Sequence, residues 1–342
     1  MDVQNKTLQR LSSVRNLIRY QLRRTINRSA IGLGLSPLLL KKRQGKRMLL
    51  YHGIDNVGDS RLNTRFISKD TFEQHLAYFK EHFHTVSLDE YYDAPAHPEK
   101  LTITITFDDG YRNNLTHALP LLEKYECPAS FFITGIRDAG YDILWADLLD
   151  LVSHHSSEEL AFSGLIFVKD KKGHFVDLSS RKTLKQFCKD SGWRFKLNMM
   201  HSLFAAIDPA ILEQTRDYWV QMTTSEIREL SASPWATIGS HGYYHNNLDA
   251  IDLSSAKEEL EHSRQFLEAT TGTPISALAF PCGLYTRDVL KMCNQLGYNK
   301  LLAVDYLFDD DDLNLYLVER IGINPYISVT EQMAAILRGT YY

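Results

Sequence analysis

Apolar positions recur with two different periods along this chain, and the points where one period gives way to the other outline its fold. Over residues 101–107 the run Leu-Thr-Ile-Thr-Ile-Thr-Phe alternates strictly, which puts Ile103, Ile105 and Phe107 on one side of a strand and the threonines on the other. Residues 48–51 read as a short buried strand. From Ser68 the period changes: Phe72, Leu76 and Phe79 recur at helical spacing behind a serine cap. Thr85-Val-Ser-Leu opens another unit, a helix is expected over 115–125 ahead of Pro128, and a strand over 129–134. The same rhythm returns later, with strands at 236–239, 277–280 and 300–304 and helices at 254–270 and 286–296. Strands and helices in turn predict an α/β fold.

Between Tyr141 and Pro234 that rhythm stops. Residues 165–178 read as a hairpin turning at Lys172-Gly173, followed by helices near 180–190, 196–206 and 208–221. An inserted, α-rich subdomain is therefore expected over 141–234, dividing the main domain into 48–140 and 235–342. A chain of 342 residues with 44% hydrophobic content can bury such a core.

Charge separates a further segment. Residues 1–47 hold 12 Lys/Arg against one acid, and the rest of the chain holds 26 bases against 41 acids, so a net charge of −4 conceals +11 beside −15. Leu8, Leu11, Val14, Ile18 and Leu22 fall at helical spacing, with Arg10, Arg15, Arg19, Arg23 and Arg24 largely elsewhere on the wheel, so residues 7–26 read as a basic amphipathic helix. It suits an anionic membrane surface, helped by the clusters at 41–43 and 46–47, or a face of the acidic main domain or of a partner. Nucleic acid is not expected, because the segment offers a single tyrosine for stacking. The apolar stretch 31–40 is short, contains Pro37 and follows a long basic region, so neither an export signal nor a membrane span is expected. Cys127, Cys188, Cys282 and Cys293 form no Cys-x-x-Cys pair and read as reduced thiols in a cytoplasmic protein.

The candidate chemistry lies where the alternating strand ends. Asp108 and Asp109 stand side by side before Gly110, and His241 and His245 follow about 130 residues later in Ser-His-Gly-Tyr-Tyr-His. Each pair alone also suits a solvated turn or a surface helix. Together they offer two imidazoles and a carboxylate for a zinc-like divalent ion, with a second carboxylate free to act as a base. Such an ion lowers the pKa of water and polarises a carbonyl.

Thr106-Phe-Asp-Asp-Gly110, Ser240-His-x-x-x-His245 and Phe280-Pro-Cys-Gly283 together resemble, in order and spacing, the motifs of the polysaccharide deacetylases, the NodB-homology carbohydrate esterases. The resemblance implies a distorted (β/α) barrel with catalytic groups at the C-terminal ends of its strands. It makes Asp108 the base, Asp109, His241 and His245 the metal ligands, and the residue after Pro281, here Cys282, a backbone donor to the oxyanion. The family's arginine in that third motif is absent, Ala279 standing there; Arg320 resembles an arginine near the end of related deacetylases and is the candidate to orient the base, or else an ordinary ion pair. No histidine occurs in 321–342 to serve as general acid. Leu49-Leu-Tyr-His52-Gly53 resembles instead the N-terminal Tyr-His segment of the poly-N-acetylglucosamine deacetylase branch, which makes His52 the candidate acid.

The expected activity is metal-dependent removal of acetyl groups from N-acetylated sugars in a glycan or a lipid-linked glycan precursor. The alternatives are an O-acetyl esterase, a hydrolase of non-sugar amides on the same metal core, or a non-catalytic glycan- or membrane-binding protein. His154, His155 and His201 fit no ligand template. The acidic run 309–312 reads as a solvated loop, and Trp145, Trp193, Trp219 and Trp235 mainly as core.

Overall fold

A computed structural model describes residues 44–155 and 159–341. The helix expected over 7–26 and the cluster at 41–43 lie outside those residues. Lys46 and Arg47, grouped above with the basic segment, belong to the first strand, and the Lys46 ammonium donates to the carbonyls of Tyr91 and Ala94.

Eight strands build the main sheet: β1 (Lys46–Tyr51), β2 (Thr102–Phe107), β3 (Ala129–Ile133), β4 (Ala236–Ser240), β5 (Ala277–Ala279), β6 (Lys300–Leu302), β7 (Leu317–Val318) and β8 (Ile321–Gly322). They are all parallel and run in the order β8-β1-β2-β3-β4-β5-β6-β7, with a short strand, His84–Thr85, added beside the start of β2. The two outermost strands, β7 and β8, are consecutive in the chain with only Glu319 and Arg320 between them. The sheet must therefore curl until its edges meet at that dipeptide, which makes a (β/α) barrel with a seam.

The period of two decides what faces in. Leu49, Tyr51, Ile103, Ile105, Phe107, Phe131, Leu278 and Leu301 lie in the core under the surrounding helices. Met48, Phe132, Ala277, Ala279 and Leu302, the alternate positions, form a second core inside the barrel with Leu88 and Tyr91. The small Ala277 and Ala279 and Gly239 make room for the Phe132 ring, which a Cβ at Gly239 would meet at 2.5 Å.

The helix Lys69–His82 starts where expected, with Ser68 accepting from the Thr71 N–H. The helix expected over 115–125 opens instead as a π-helical turn, Asn114–Ala118, and becomes α-helical at Leu119–Tyr125. Pro120, which has no N–H to give an α-helical bond, stands at the change.

Residues of 143–220 gather around a hydrophobic cluster of their own that includes Trp145, Leu148, Phe167, Met199, Met200, Leu203 and Trp219. This region holds helices Trp145–His155, Leu184–Lys189, Trp193–Ala206 and Pro209–Gln214 and three antiparallel strands. The hairpin of Leu165–Lys169 with Phe175–Asp177 is accompanied by Glu159–Phe162, a strand too short for its alternation to be read. The helix expected over 208–221 stops at Gln214. The end of this region is stitched to the loop behind the paired aspartates: Arg112 N–H donates to the Val220 carbonyl, and Met222 N–H to that of Gly110.

The acidic run is not simply solvated. Asp311 is buried and accepts from the Tyr285 hydroxyl at 2.5 Å and the N–H groups of Leu307 and Phe308 at 2.9 and 2.8 Å, which locks the turn before β7.

Candidate active site

β2 ends at Phe107, and the backbone turns sharply at the paired aspartates: Asp109 has φ 77° and Gly110 φ 82°. Left-handed backbone at a residue with a Cβ costs about 1–3 kcal/mol, and such residues collect at functional sites. His245 (φ 55°) and Cys282 (φ 57°) share it, so three of the six such non-glycine residues among those described lie within this site.

Asp108 is bound to Arg320. The guanidinium at the barrel seam makes two parallel bonds to it, Nη1 to Oδ1 at 2.7 Å and Nη2 to Oδ2 at 2.8 Å. It also donates to the Ala303 carbonyl and the Thr106 hydroxyl. Both members are buried, at 4% and 3% exposure. Burial would raise the Asp108 pKa, but Arg320 and then His241 outweigh it and hold the carboxyl below its ordinary range.

Asp109 faces the two histidines. Its Oδ1 lies 3.3 Å from Nε2 of His241 and 3.3 Å from Nε2 of His245, and one donor atom from each residue falls within 4.8 Å of the others. His241 Nδ1 lies 2.8 Å from the Ala279 carbonyl, which can only accept, so Nδ1 carries a proton, and in the neutral form of the ring the Nε2 lone pair faces Asp109. Asp109 Oδ1 is buried and receives no hydrogen bond. Acceptors converging on one buried point repel each other unless a cation lies between them, so this donor set fits a divalent ion. Burial opposes charge on His241, but Asp108 and Asp109 hold its pKa above the ordinary value; burial pushes that of His245 down.

These groups open on a cavity of about 370 Å³, also lined by His52, Arg65, Trp145, Asp150, Lys185, Lys189 and Cys282. Burial pushes the His52 imidazole down to about 4, and its carbonyl is held by the Asn114 amide. Pro281 is buried and Cys282 exposed in a tight turn whose hydrogen bonds use the N–H groups of Gly283 and Leu284. Cys127, Cys188 and Cys293 are buried free thiols. All the residues expected at the site thus line or adjoin one cavity; among the described residues His154, His155 and His201 join no metal-binding group.

Several neighbours were not anticipated. Arg65 bonds Asp109 Oδ2 at 2.9 Å, Asp147 at 2.6 Å and the Tyr111 hydroxyl at 2.7 Å. Trp145 donates from its indole N–H to the His245 carbonyl at 3.3 Å. Lys196, fully buried, bonds Asn246 at 2.6 Å. One sequence signal existed: Asp147 and Lys196 fall on the apolar stripes of their helices, Lys196 beside Met199, Met200 and Leu203, where an ionic group is buried only with a partner.

Comparison with known proteins agrees with this geometry. The family model for polysaccharide deacetylase matches residues 96–158 and 209–301, leaving out the antiparallel strands and the middle of the intervening region. The putative polysaccharide deacetylase YxkH of Bacillus subtilis (strain 168) is 19% identical over 285 residues, 82% of this chain and 72% of that protein. Among solved structures, the Streptococcus pyogenes deacetylase PplD in complex with acetate aligns with TM-score 0.55 and 17% identity over 87% of this chain and 99% of its own. IcaB from Ammonifex degensii aligns with TM-score 0.51 and 17% identity over 87% and 98%. The matched segments carry Asp108, Asp109, His241, His245, Pro281 and Cys282 on a barrel shared with these structures, and together they form a polysaccharide deacetylase family domain.

Proposed function

We propose that this protein hydrolyses the acetamido group of an N-acetylated sugar, in a glycan or a lipid-linked glycan precursor, with the help of a divalent metal, Zn²⁺ by the nitrogen and oxygen donor set. The observation that carries the reading is the convergence of a buried carboxylate, Asp108, with the metal-fitting group of Asp109, His241 and His245 on one open cavity. A bound divalent ion would supply Lewis acidity and lower the pKa of water. Asp108, oriented by Arg320, takes a proton from the attacking water. The N–H of Cys282 stabilises charge on the carbonyl oxygen, a role that asks nothing of the thiol. His52 delivers a proton to the leaving amine. At neutral pH burial keeps the ring uncharged in the free protein, so the proton His52 delivers is one it receives during the reaction, and the proton that Asp108 takes from water balances it.

The lipid-linked case is supported by the cavity rim. Lys185 and Lys189 line it; Lys185 is paired with Asp150 at 2.8 Å, and Lys189 has no ion-pair partner among the described residues, so an ammonium is available to a phosphate or carboxylate carried by the substrate. The basic segment ahead of β1 would then hold the domain at an anionic, cytoplasmic membrane face. The deciding experiment is acetate release by metal-reconstituted protein from N-acetylglucosamine oligosaccharides and from membrane lipid extracts, with Asp108→Asn as control. Release that disappears in the control supports the reading, and the pool that reacts identifies the substrate class. No release from either pool by protein carrying stoichiometric metal excludes these sugars.

A further inference from the structure

The two histidines facing Asp109 are secured differently. His241 has the support usual for a ligating imidazole, its second ring nitrogen bonded to a carbonyl. His245 lacks it: Nδ1 is buried without a hydrogen-bond partner, and the residue sits in left-handed backbone. Something else must hold this ring on target.

The backbone on both sides of His245 is gripped instead. The N–H groups of Tyr244 and Asn246 donate to one oxygen of Glu259, at 3.1 and 3.0 Å, and the Asn246 side chain donates to the other oxygen at 2.5 Å. Glu259 is 2% exposed, a charge that needs a counter-charge nearby. Lys196 attracts it through space without a direct ion pair, reaching from the helix Trp193–Ala206 to Asn246 Oδ1 at 2.6 Å, with its ammonium 5.1 Å from the centre of the Trp145 ring. The same Trp145 bonds the His245 carbonyl. Both residues come from the region between β3 and β4 that has its own core.

We infer that Lys196 and Trp145 are positioning residues for His245, so that this region, whatever it does at the cavity mouth, completes the metal site from behind. The inference rests on the metal reading of Asp109, His241 and His245. Remote partners of ligating residues are commonly worth about 10- to 100-fold in metal affinity.

The test is Zn²⁺ affinity of purified Lys196→Met by competition with a chromogenic chelator, together with the visible absorption spectrum of the Co²⁺-loaded protein. Far-UV circular dichroism and the melting temperature of the metal-free form serve as controls. The expected result is a folded variant whose Zn²⁺ affinity falls about 10- to 100-fold and whose Co²⁺ spectrum shifts toward that of His245→Gln. A merely structural role would lower the melting temperature and leave affinity and spectrum of the folded fraction as in the wild type, which would overturn the inference. Should Lys196→Met fail to fold, Trp145→Phe decides: it keeps most of the ring and removes the N–H. About 2- to 10-fold weaker Zn²⁺ binding supports the inference, and unchanged binding overturns it. If the wild type binds neither metal, the metal reading itself falls, and this inference with it.

Discussion

Asp108 and Asp109 are neighbours in the chain, yet different parts of the molecule hold them. Asp108 is served by the barrel alone. Its partner Arg320 comes from the seam between β7 and β8, and its N–H donates to the Tyr51 carbonyl at the end of β1. Asp109 and the facing His245 depend on groups off the strands: Arg65 in the loop after β1, Asp147 and Trp145 at the start of one helix, and Lys196 on another. A regular scaffold fixes the candidate base and His241, while groups off the strands hold Asp109 and His245. The two sides should therefore fail in different ways.

The largest effect is expected on the barrel side. Arg320→Met leaves a buried carboxylate with no counter-charge at the point where the sheet closes. Breaking a buried pair by removing one partner costs about 3–5 kcal/mol, and a misplaced base about 10²-fold in rate. Thermal unfolding of the metal-free protein and kcat for acetate release measure the two. Normal stability with unchanged kcat would mean that the seam pair neither holds the barrel nor aims Asp108.

On the other side, Arg65→Met removes the donor on Asp109 Oδ2 and leaves Asp147 buried beside Asp109 without its cation. Here the loss should appear in metal affinity, about 10- to 100-fold. Isothermal titration with Zn²⁺ reads it directly. A variant that binds Zn²⁺ as the wild type does would erase the contrast between the two sides.

The same division explains what was legible in the sequence. Asp108, Asp109 and His241 follow directly on strand ends and His245 lies four residues further, where alternation stops abruptly and polar residues stand out, so the α/β alternation and the candidate site could be read from period and spacing, and the barrel from the family resemblance. Arg320 was legible as a candidate, but its role depends on β7 and β8 being edges of one curled sheet, which no local pattern encodes. Arg65 lies in a loop without periodicity and gave no signal. Lys196, Asp147 and Glu259 each interrupt an apolar helical stripe, alongside Met199 and Leu203, Leu148 and Leu151, and Ala256 and Leu260 respectively. A buried charge at such a position implies a partner without naming it, because the partner comes from another element tens of residues away. Asp311 misled for the opposite reason: four acids in a row look solvated, and only the fold brings the Tyr285 hydroxyl and two backbone N–H groups to one of them.

The smallest effect is expected at Cys282, where the proposal asks for backbone and not for side chain. Its φ of 57° is one that glycine adopts freely and that costs any residue with a Cβ. Cys282→Gly should therefore melt no lower than Cys282→Ala, whatever the thiol packs against, unless the added freedom of glycine in the unfolded chain offsets the relief, a term of about 0.4–1 kcal/mol. Both variants keep the N–H, so both should retain kcat for acetate release within about threefold, a difference below ~1 kcal/mol in barrier. Loss of activity in both, with metal affinity intact, would transfer the role from the amide to the sulfur and make Cys282 a participant in the chemistry. Loss in the glycine variant alone would show instead that the turn must be rigid for its amide to stay aimed at the cavity.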